Sequence, residues 1–210
     1  DFYRDIPFLA DRLLPGCQGQ IFPASTGIGT EGRGIMMSAI ALVTDRQDIR
    51  AVPLENPRQT PAFDYAHYYS PASPKFSRAM ALSCGNYATI FISGTASIVG
   101  HASTCLGDVV EQTSETLKNI SRVLGLAFPE RSHENFAQLR LLKVYIRHAG
   151  DFPLIRSIIE DSIGKRIPCL YLLADICRSE LLLEIEASQG KTAAALAQTA
   201  FPSAIVEVCQ

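Results

Sequence analysis

The hydrophobic pattern sharpens at about residue 75. Arg78–Cys84 and Ala88–Ser93 are short apolar runs separated by Gly85-Asn86, the spacing of a β-hairpin. Gly94–His101 is built of small residues and reads as a loop. Asp108 then stands where a helix N-cap belongs, with Glu111 three residues on, as in a capping box. Val109, Thr113, Thr116, Leu117, Ile120, Val123 and Leu124 keep a 3.6-residue period up to a stop at Gly125. Leu139–Arg147 predicts a strand, Asp151–Ile163 a second helix, and Cys169–Ile176 and Leu181–Glu186 two closing strands. The order β-β-α-β-α-β-β predicts an α+β layer arrangement, with both helices on one face of a mixed sheet.

Upstream the pattern is weaker. A short helix is expected over residues 5–14, then a run rich in Gly, Pro and Thr over 23–34. The apolar run Ile35–Val43 suits a strand, and the proline-rich Val52–Tyr69 suits an extended connector. After Gly190 a helix and a short strand are expected. This divides the chain into residues 1–70, a partial N-terminal domain and connector, and residues 71–210, the main domain.

One stretch breaks the binary pattern. Glu184 and Glu186 lie inside the apolar run that closes the chain's clear structure, Leu181–Glu186. Positions two apart share a face of a strand, so both could lie on a wet edge. A carboxylate turned inward is costly unless it is paired or used in chemistry. Parity alone leaves both readings open.

Composition narrows the function classes. The 210 residues carry 47% hydrophobic and 19% charged side chains and a formal net charge of −2, so no basic surface recommends nucleic acid or an anionic membrane. No apolar run approaches the ~18 residues of a membrane span. The expectation is a cytoplasmic protein. The N-terminus, Asp1-Phe2-Tyr3-Arg4-Asp5, lacks an initiator Met and a signal-peptide pattern, which suggests a piece of a longer chain. Six cysteines show no CxxC pair and four histidines are scattered, so neither zinc nor a disulfide framework is expected. Asn119-Ile120-Ser121 is a formal glycosylation sequon inside a helical pattern.

Two further motifs are formal only. Gly27–Gly32 satisfies GxGxxG, but a dinucleotide site needs a buried strand before it and a helix directly after. Here Pro23-Ala24-Ser25 precedes and Arg33-Gly34 follows. Gly190-Lys191-Thr192 ends like a Walker A loop, but its upstream glycine position holds Ile185. His101 could serve as a general base or be a loop histidine held by its neighbours.

Four segments in order carry a family resemblance: ENPRQTPAFDY at 55–65; SPKFSRA at 73–79; FISGTASIVGH at 91–101 with GDVVEQTSETLKNI at 107–120; and ADICRSELLLEIEA at 174–187. Together they resemble the chorismatases, enzymes that cleave chorismate and belong to the wider superfamily of RidA/YjgF-type imine deaminases. The resemblance covers about residues 20–188. It implies a RidA/YjgF-like (chorismate-mutase-like) mixed sheet, with a remnant of a related N-terminal domain from a longer chain. It implies cleavage of the enolpyruvyl ether to pyruvate plus a hydroxybenzoate or a dihydroxycyclohexadienecarboxylate, with no cofactor and with chorismate as the small-molecule partner. Glu184 would be the acid/base, and Cys177, seven residues earlier, a position that influences the product. Arg147 and Arg156 would hold the two carboxylates of chorismate, with Tyr65 as a further candidate. Ala96 resembles the subtype that makes the dihydroxy acid and Cys177 the subtype that makes 3-hydroxybenzoate, so the pair leaves the product open.

Ala102 and Cys105 depart from the family pattern in the loop that follows His101. Cys169 stands where a RidA-type deaminase would carry an arginine, which argues against imine hydrolysis. A RidA-like module that binds a carboxylate metabolite without turning it over is the other reading of the same residues. The resemblance leaves a monomer and a trimer both open.

Overall fold

The structure is a computed structural model that describes residues 21–30, 32–42, 44–66, 71–85, 87–127 and 135–192. Eight strands and two α-helices organise the described residues: β1 (Ile49–Leu54), β2 (Ala79–Cys84), β3 (Tyr87–Thr95), β4 (Ile98–Val99), β5 (Ala102–Ser103), α1 (Val109–Ala127), β6 (Leu139–Ile146), α2 (Phe152–Ile163), β7 (Cys169–Leu173) and β8 (Leu183–Thr192). Six strands form one sheet in the order β1-β2-β3-β8-β6-β7, and β4 and β5 make a separate small ribbon. All neighbours in the large sheet are antiparallel except β6 and β7, which are parallel and joined through α2. The mixed α+β sheet is therefore as the sequence predicts.

The core lies between the sheet and the helices. Ile90 and Ile92 of β3, Val144 and Ile146 of β6, and Leu183 and Ile185 of β8 pack with Ile120 and Leu124 of α1 and Ile155 and Ile159 of α2 in one cluster. Both helices thus cover one face, and the alternate residues of β3, β6 and β8 point to the other. α1 begins where expected. The Asp108 Oδ1 accepts the backbone N–H of Val110 at 2.9 Å and of Glu111 at 3.0 Å, satisfying two orphan donors of the first turn. It runs two residues past the predicted stop, to Ala127.

One upstream expectation fails and another is shifted at its start. Ile35–Val43 is not a strand in its described part. Ile35 and Met36 are 99% and 98% exposed, and among the described residues no strand pairs with residues 35–42. An apolar run predicts a strand only where a partner edge is in reach. The connector over Val52–Tyr69 instead begins inside β1, which runs antiparallel along β2 at the sheet edge. Pro53 misled the sequence reading, yet an edge strand tolerates proline because one side of it needs no ladder donor. The loop expected at Gly94–His101 holds the end of β3 and all of β4. The closing strands are shifted: β7 stops at Leu173 and β8 starts at Leu183 and continues to Thr192. The helix expected at 5–14 and nearly all of the tail expected after Gly190 lie outside the described residues.

Candidate active site

β8 supplies the centre. Leu183, Ile185 and Ala187 face the helices, so Glu184 and Glu186 emerge on the opposite face, two residues apart as strand parity requires. The loop that leads into β8 is braced from two sides. Gln112 of α1, fully buried, donates from Nε2 to the Glu180 carbonyl at 2.9 Å and accepts the Leu182 N–H at 2.8 Å. Arg147, just after β6, donates to the carbonyls of Leu181 (2.7 Å), Ile176 (2.9 Å) and Arg178 (2.9 Å) and pairs with Asp175. Segment 175–182 is thereby fixed by side chains from two different elements.

Glu184 is only 5% exposed. Burial, reinforced by the charge of Glu186 and opposed by that of Arg78, pushes its carboxyl up to about 7. A glycine makes its position possible. A Cβ on Gly94, in β3, would lie 1.9 Å from Glu184 Oε1 and 2.9 Å from Thr26 Cγ2. The Gly94 N–H donates to Thr26 Oγ1 at 2.9 Å, which brings segment 21–30 against the site. That segment is anchored further by bridges from Ala24 to Ser77 and from Gly29 to Asp175.

Glu186 differs through its partners, not its face. Burial works to raise its carboxyl, but Lys143 Nζ at 2.5 Å, the hydroxyl of Thr26 and the Tyr145 hydroxyl at 3.0 Å outweigh it and hold the carboxyl below its usual value. Tyr145 is in turn raised by burial and by the charge of Glu186. One strand therefore presents two carboxyls of opposite tendency, one inclined to keep its proton and one held as an anion.

Cys177 approaches the first of them. Its Sγ lies 4.0 Å from Glu184 Oε2. Although the residue as a whole is exposed, desolvation around the thiol and the charge of Glu184 push it up to about 11. Near neutral pH it is a thiol that can donate toward Glu184, not a thiolate nucleophile. Ala96 is buried beneath this region, in a small apolar cluster with Tyr145, Ala174, Ile176 and Leu181. Its carbonyl is held by Asn119 Nδ2 at 3.2 Å.

Tyr65 is buried and lies between two arginines. Its hydroxyl accepts from Arg78 at 2.6 Å, and the guanidinium carbons of Arg78 and Arg178 lie 5.7 and 5.2 Å from its ring centroid. Arg78 acts on Glu184 by its charge and Arg178 acts on Cys177, so this group adjoins the carboxyl.

The residues singled out from sequence thus separate. Glu184, Cys177 and Tyr65 are brought into one neighbourhood, with Ala96 supporting it. Arg147 is close in space, but its guanidinium is spent on the 175–182 segment. Arg156 is not brought to the site: it projects from α2, which covers the opposite face of the sheet, and pairs with Glu160 four residues on at 2.6 Å. Sequence reasoning missed Arg78 and Arg178, although both lie inside motifs that carried the resemblance. Neither sits at a spacing that marks it, because Tyr65 joins them only in three dimensions. His101 is exposed, and its carbonyl accepts from Arg178 at 2.8 Å.

No helix among the described residues is long and apolar enough to cross a membrane. No family model matches the chain. Among curated proteins it is similar to a 3-hydroxybenzoate synthase of Streptomyces hygroscopicus, 38% identical over 196 residues, covering 89% of this chain and 56% of that protein. It is equally similar to a chorismatase of Streptomyces rapamycinicus, 38% identical over 195 residues, covering 89% and 57%. Among solved structures, a chorismatase superposes with a TM-score of 0.66 at 32% identity, over 80% of this chain and 51% of that one. By sequence and fold the chain is similar to chorismatases, and it spans about half the length of the curated relatives it matches.

Proposed function

We propose that the protein cleaves the enolpyruvyl ether of chorismate, releasing pyruvate and 3-hydroxybenzoate. One observation carries the reading: Glu184 is a buried carboxyl whose proton is held up to about 7, so at neutral pH it has a proton to give. An enol ether is protonated at its terminal methylene carbon. The double-bond electrons form the new C–H bond, and a lone pair on the ether oxygen spreads the resulting positive charge. Glu184 supplies the proton, and its carboxylate then lies beside the cation it has created. Water adds to the cationic carbon and loses a proton, and the hemiketal collapses, breaking its bond to the ring oxygen to give pyruvate and a ring hydroxyl. Glu186, held anionic by Lys143 and Thr26, adds negative charge to the same face.

The product follows from position 177. Pyruvate plus a hydroxybenzoate together contain the atoms of chorismate with no net water, whereas the dihydroxycyclohexadienecarboxylate takes up one water. For the aromatic product a ring hydroxyl must leave as water, taking up one proton while the adjacent ring carbon gives up another. A protonated thiol 4.0 Å from Glu184 can supply the first, which favours that product. The name of one relative, 3-hydroxybenzoate synthase, supports the same choice.

The test is direct. Purified protein incubated with chorismate releases pyruvate and a product with the mass of a hydroxybenzoate. Glu184→Gln, which keeps the shape and removes the acid, lowers pyruvate release by at least about 100-fold. Undiminished release by that variant removes Glu184 from the role. Binding of chorismate without any pyruvate makes the protein a binding module instead.

A further inference from the structure

Segment 21–30 lies on the open face of the sheet, over β3 and the two carboxyls of β8. We propose that Thr26 is a positioning residue for this carboxyl pair: its hydroxyl, fixed as an acceptor by the Gly94 N–H, turns its one proton to Glu186, and its methyl group shares a pocket with Glu184. The inference rests on the cleavage reading above and adds a residue that acts through the carboxyls, not on the substrate.

A β-bulge prepares the contact. Ile92 of β3 pairs with Ala187 and Thr95 with Ile185, so Ser93 and Gly94 together stand opposite Glu186. A bulge takes residues out of the regular ladder and recurs beside active sites, where it re-aims groups. Two consecutive residues of segment 21–30 use what it turns out. The Ser25 N–H donates to Ser93 Oγ at 3.0 Å, and the Gly94 N–H donates to Thr26 Oγ1 at 2.9 Å. A threonine hydroxyl has one proton to give. With the Gly94 N–H on its oxygen, that proton is left for Glu186, whose carboxyl it helps to keep ionised. The methyl group has its own place. Glu184 Oε1 and Thr26 Cγ2 lie 1.9 and 2.9 Å from the point where a Cβ on Gly94 would stand, so both fill the space that glycine leaves.

The segment is anchored on both sides of Thr26. Before it, the Ser77 N–H donates to the Pro23 carbonyl at 3.0 Å and Ser77 Oγ to the Phe22 carbonyl at 2.7 Å. After it, Ile28 packs on the apolar cluster that includes Ala96, Tyr145 and Ile176. Gly29 and Asp175 then exchange backbone hydrogen bonds in both directions, each 2.9 Å long. A Cβ on Gly29 would lie 2.8 Å from Asp175 Cβ, so this approach needs a glycine. One glycine of the formal GxGxxG run thus serves packing of chain on chain. Thr26 is thereby a fixed point between the β3 bulge and the braced segment 175–182.

The experiment separates the hydroxyl from the rest of the side chain. Thr26→Val keeps the shape and removes the hydroxyl, and Thr26→Ser keeps the hydroxyl. In protein carrying isotope-labelled glutamate, carboxyl NMR follows Glu186 through a pH titration, with Glu186→Gln assigning the signal. The titratable groups that face Glu186, Lys143 and Tyr145 from β6 and Glu184 from β8, are the same in both variants. The Glu186 midpoint rises in Thr26→Val and returns to the parent value in Thr26→Ser. Thr26→Val also lowers kcat for pyruvate release about tenfold with KM within about twofold, and Thr26→Ser recovers most of that loss. An unmoved Glu186 midpoint in Thr26→Val overturns the proposal, even where the melting temperature falls, because a mere clamp would give that result. A kcat within about twofold of the parent overturns it too, as does a serine variant that fails to bring the midpoint back. Parent protein that releases no pyruvate overturns the cleavage reading instead. The midpoint is read without substrate, and a raised value in Thr26→Val then still upholds the role of the hydroxyl.

Discussion

The two faces of one strand hold opposite chemistry. Toward the helices β8 turns Leu183, Ile185 and Ala187 into a closed aliphatic core. Toward the other face it turns Glu184 and Glu186, and there each side chain has an individual partner. The first face needs only apolar side chains of suitable volume. The second depends on single atoms: the hydrogen at Gly94 in place of a side chain, the Lys143 ammonium, the Thr26 hydroxyl. Tolerance to substitution should differ accordingly, and four measurements test that contrast.

The largest effect is expected at Gly94. Gly94→Ala puts a methyl group 1.9 Å from Glu184 Oε1, so the carboxyl must leave its place. Misplacement of a reacting group by about 1 Å can cost ~100-fold, and pyruvate release should fall by at least that much. Retention of activity would show that the two faces are equally forgiving. Next comes the pH dependence of stability. Glu184 is raised in the folded protein to about 7 from an unfolded value of 4.5, so the folded state binds the extra proton between those limits. Its stabilising contribution is complete below the unfolded value and is lost as pH rises through about 7. The loss amounts to up to ~3 kcal/mol, and denaturant titrations of Glu184→Gln at pH 5 and 8 should show it removed.

A smaller shift follows from Lys143→Met. Without the ammonium, positive charge that offsets the two carboxyls is gone, so the alkaline limb of the pyruvate-release profile, set by Glu184, moves above about 7. An unmoved limb would mean that the two carboxyls act independently. The smallest effect belongs to the helix-covered side. Arg156→Ala removes an exposed pairing with Glu160 and should leave pyruvate release within about twofold of the parent.

How far the sequence could be read depended on the range of the forces. α1 and the β2–β3 hairpin were legible because capping, turn chemistry and periodicity act within a few residues. β1 was not, because its proline is tolerable only at a sheet edge, and edges are set by the whole topology. Glu184 stood out as a charge in an apolar run, and the resemblance separated it from Glu186. The structure gives a physical cause for that difference: the two share a face, and Lys143, Thr26 and Tyr145 distinguish them. The resemblance put Arg147 on a carboxylate of the substrate. Its use in bracing backbone carbonyls could not be read, since carbonyl directions in a loop leave no trace in residue types. Arg78 and Arg178 were hidden for a related reason, being 100 positions apart and joined only by Tyr65.

The bracing of segment 175–182 has a consequence for how such a site can diversify. Arg147 and Gln112 hold that segment through main-chain atoms and Asp175, and none of their bonds uses the side chain at position 177. Scaffold and reagent are thereby decoupled. A different small side chain can be installed beside Glu184 without redrawing the path of the backbone, so the surroundings of that carboxyl can change by one exchange of residue and with no new architecture.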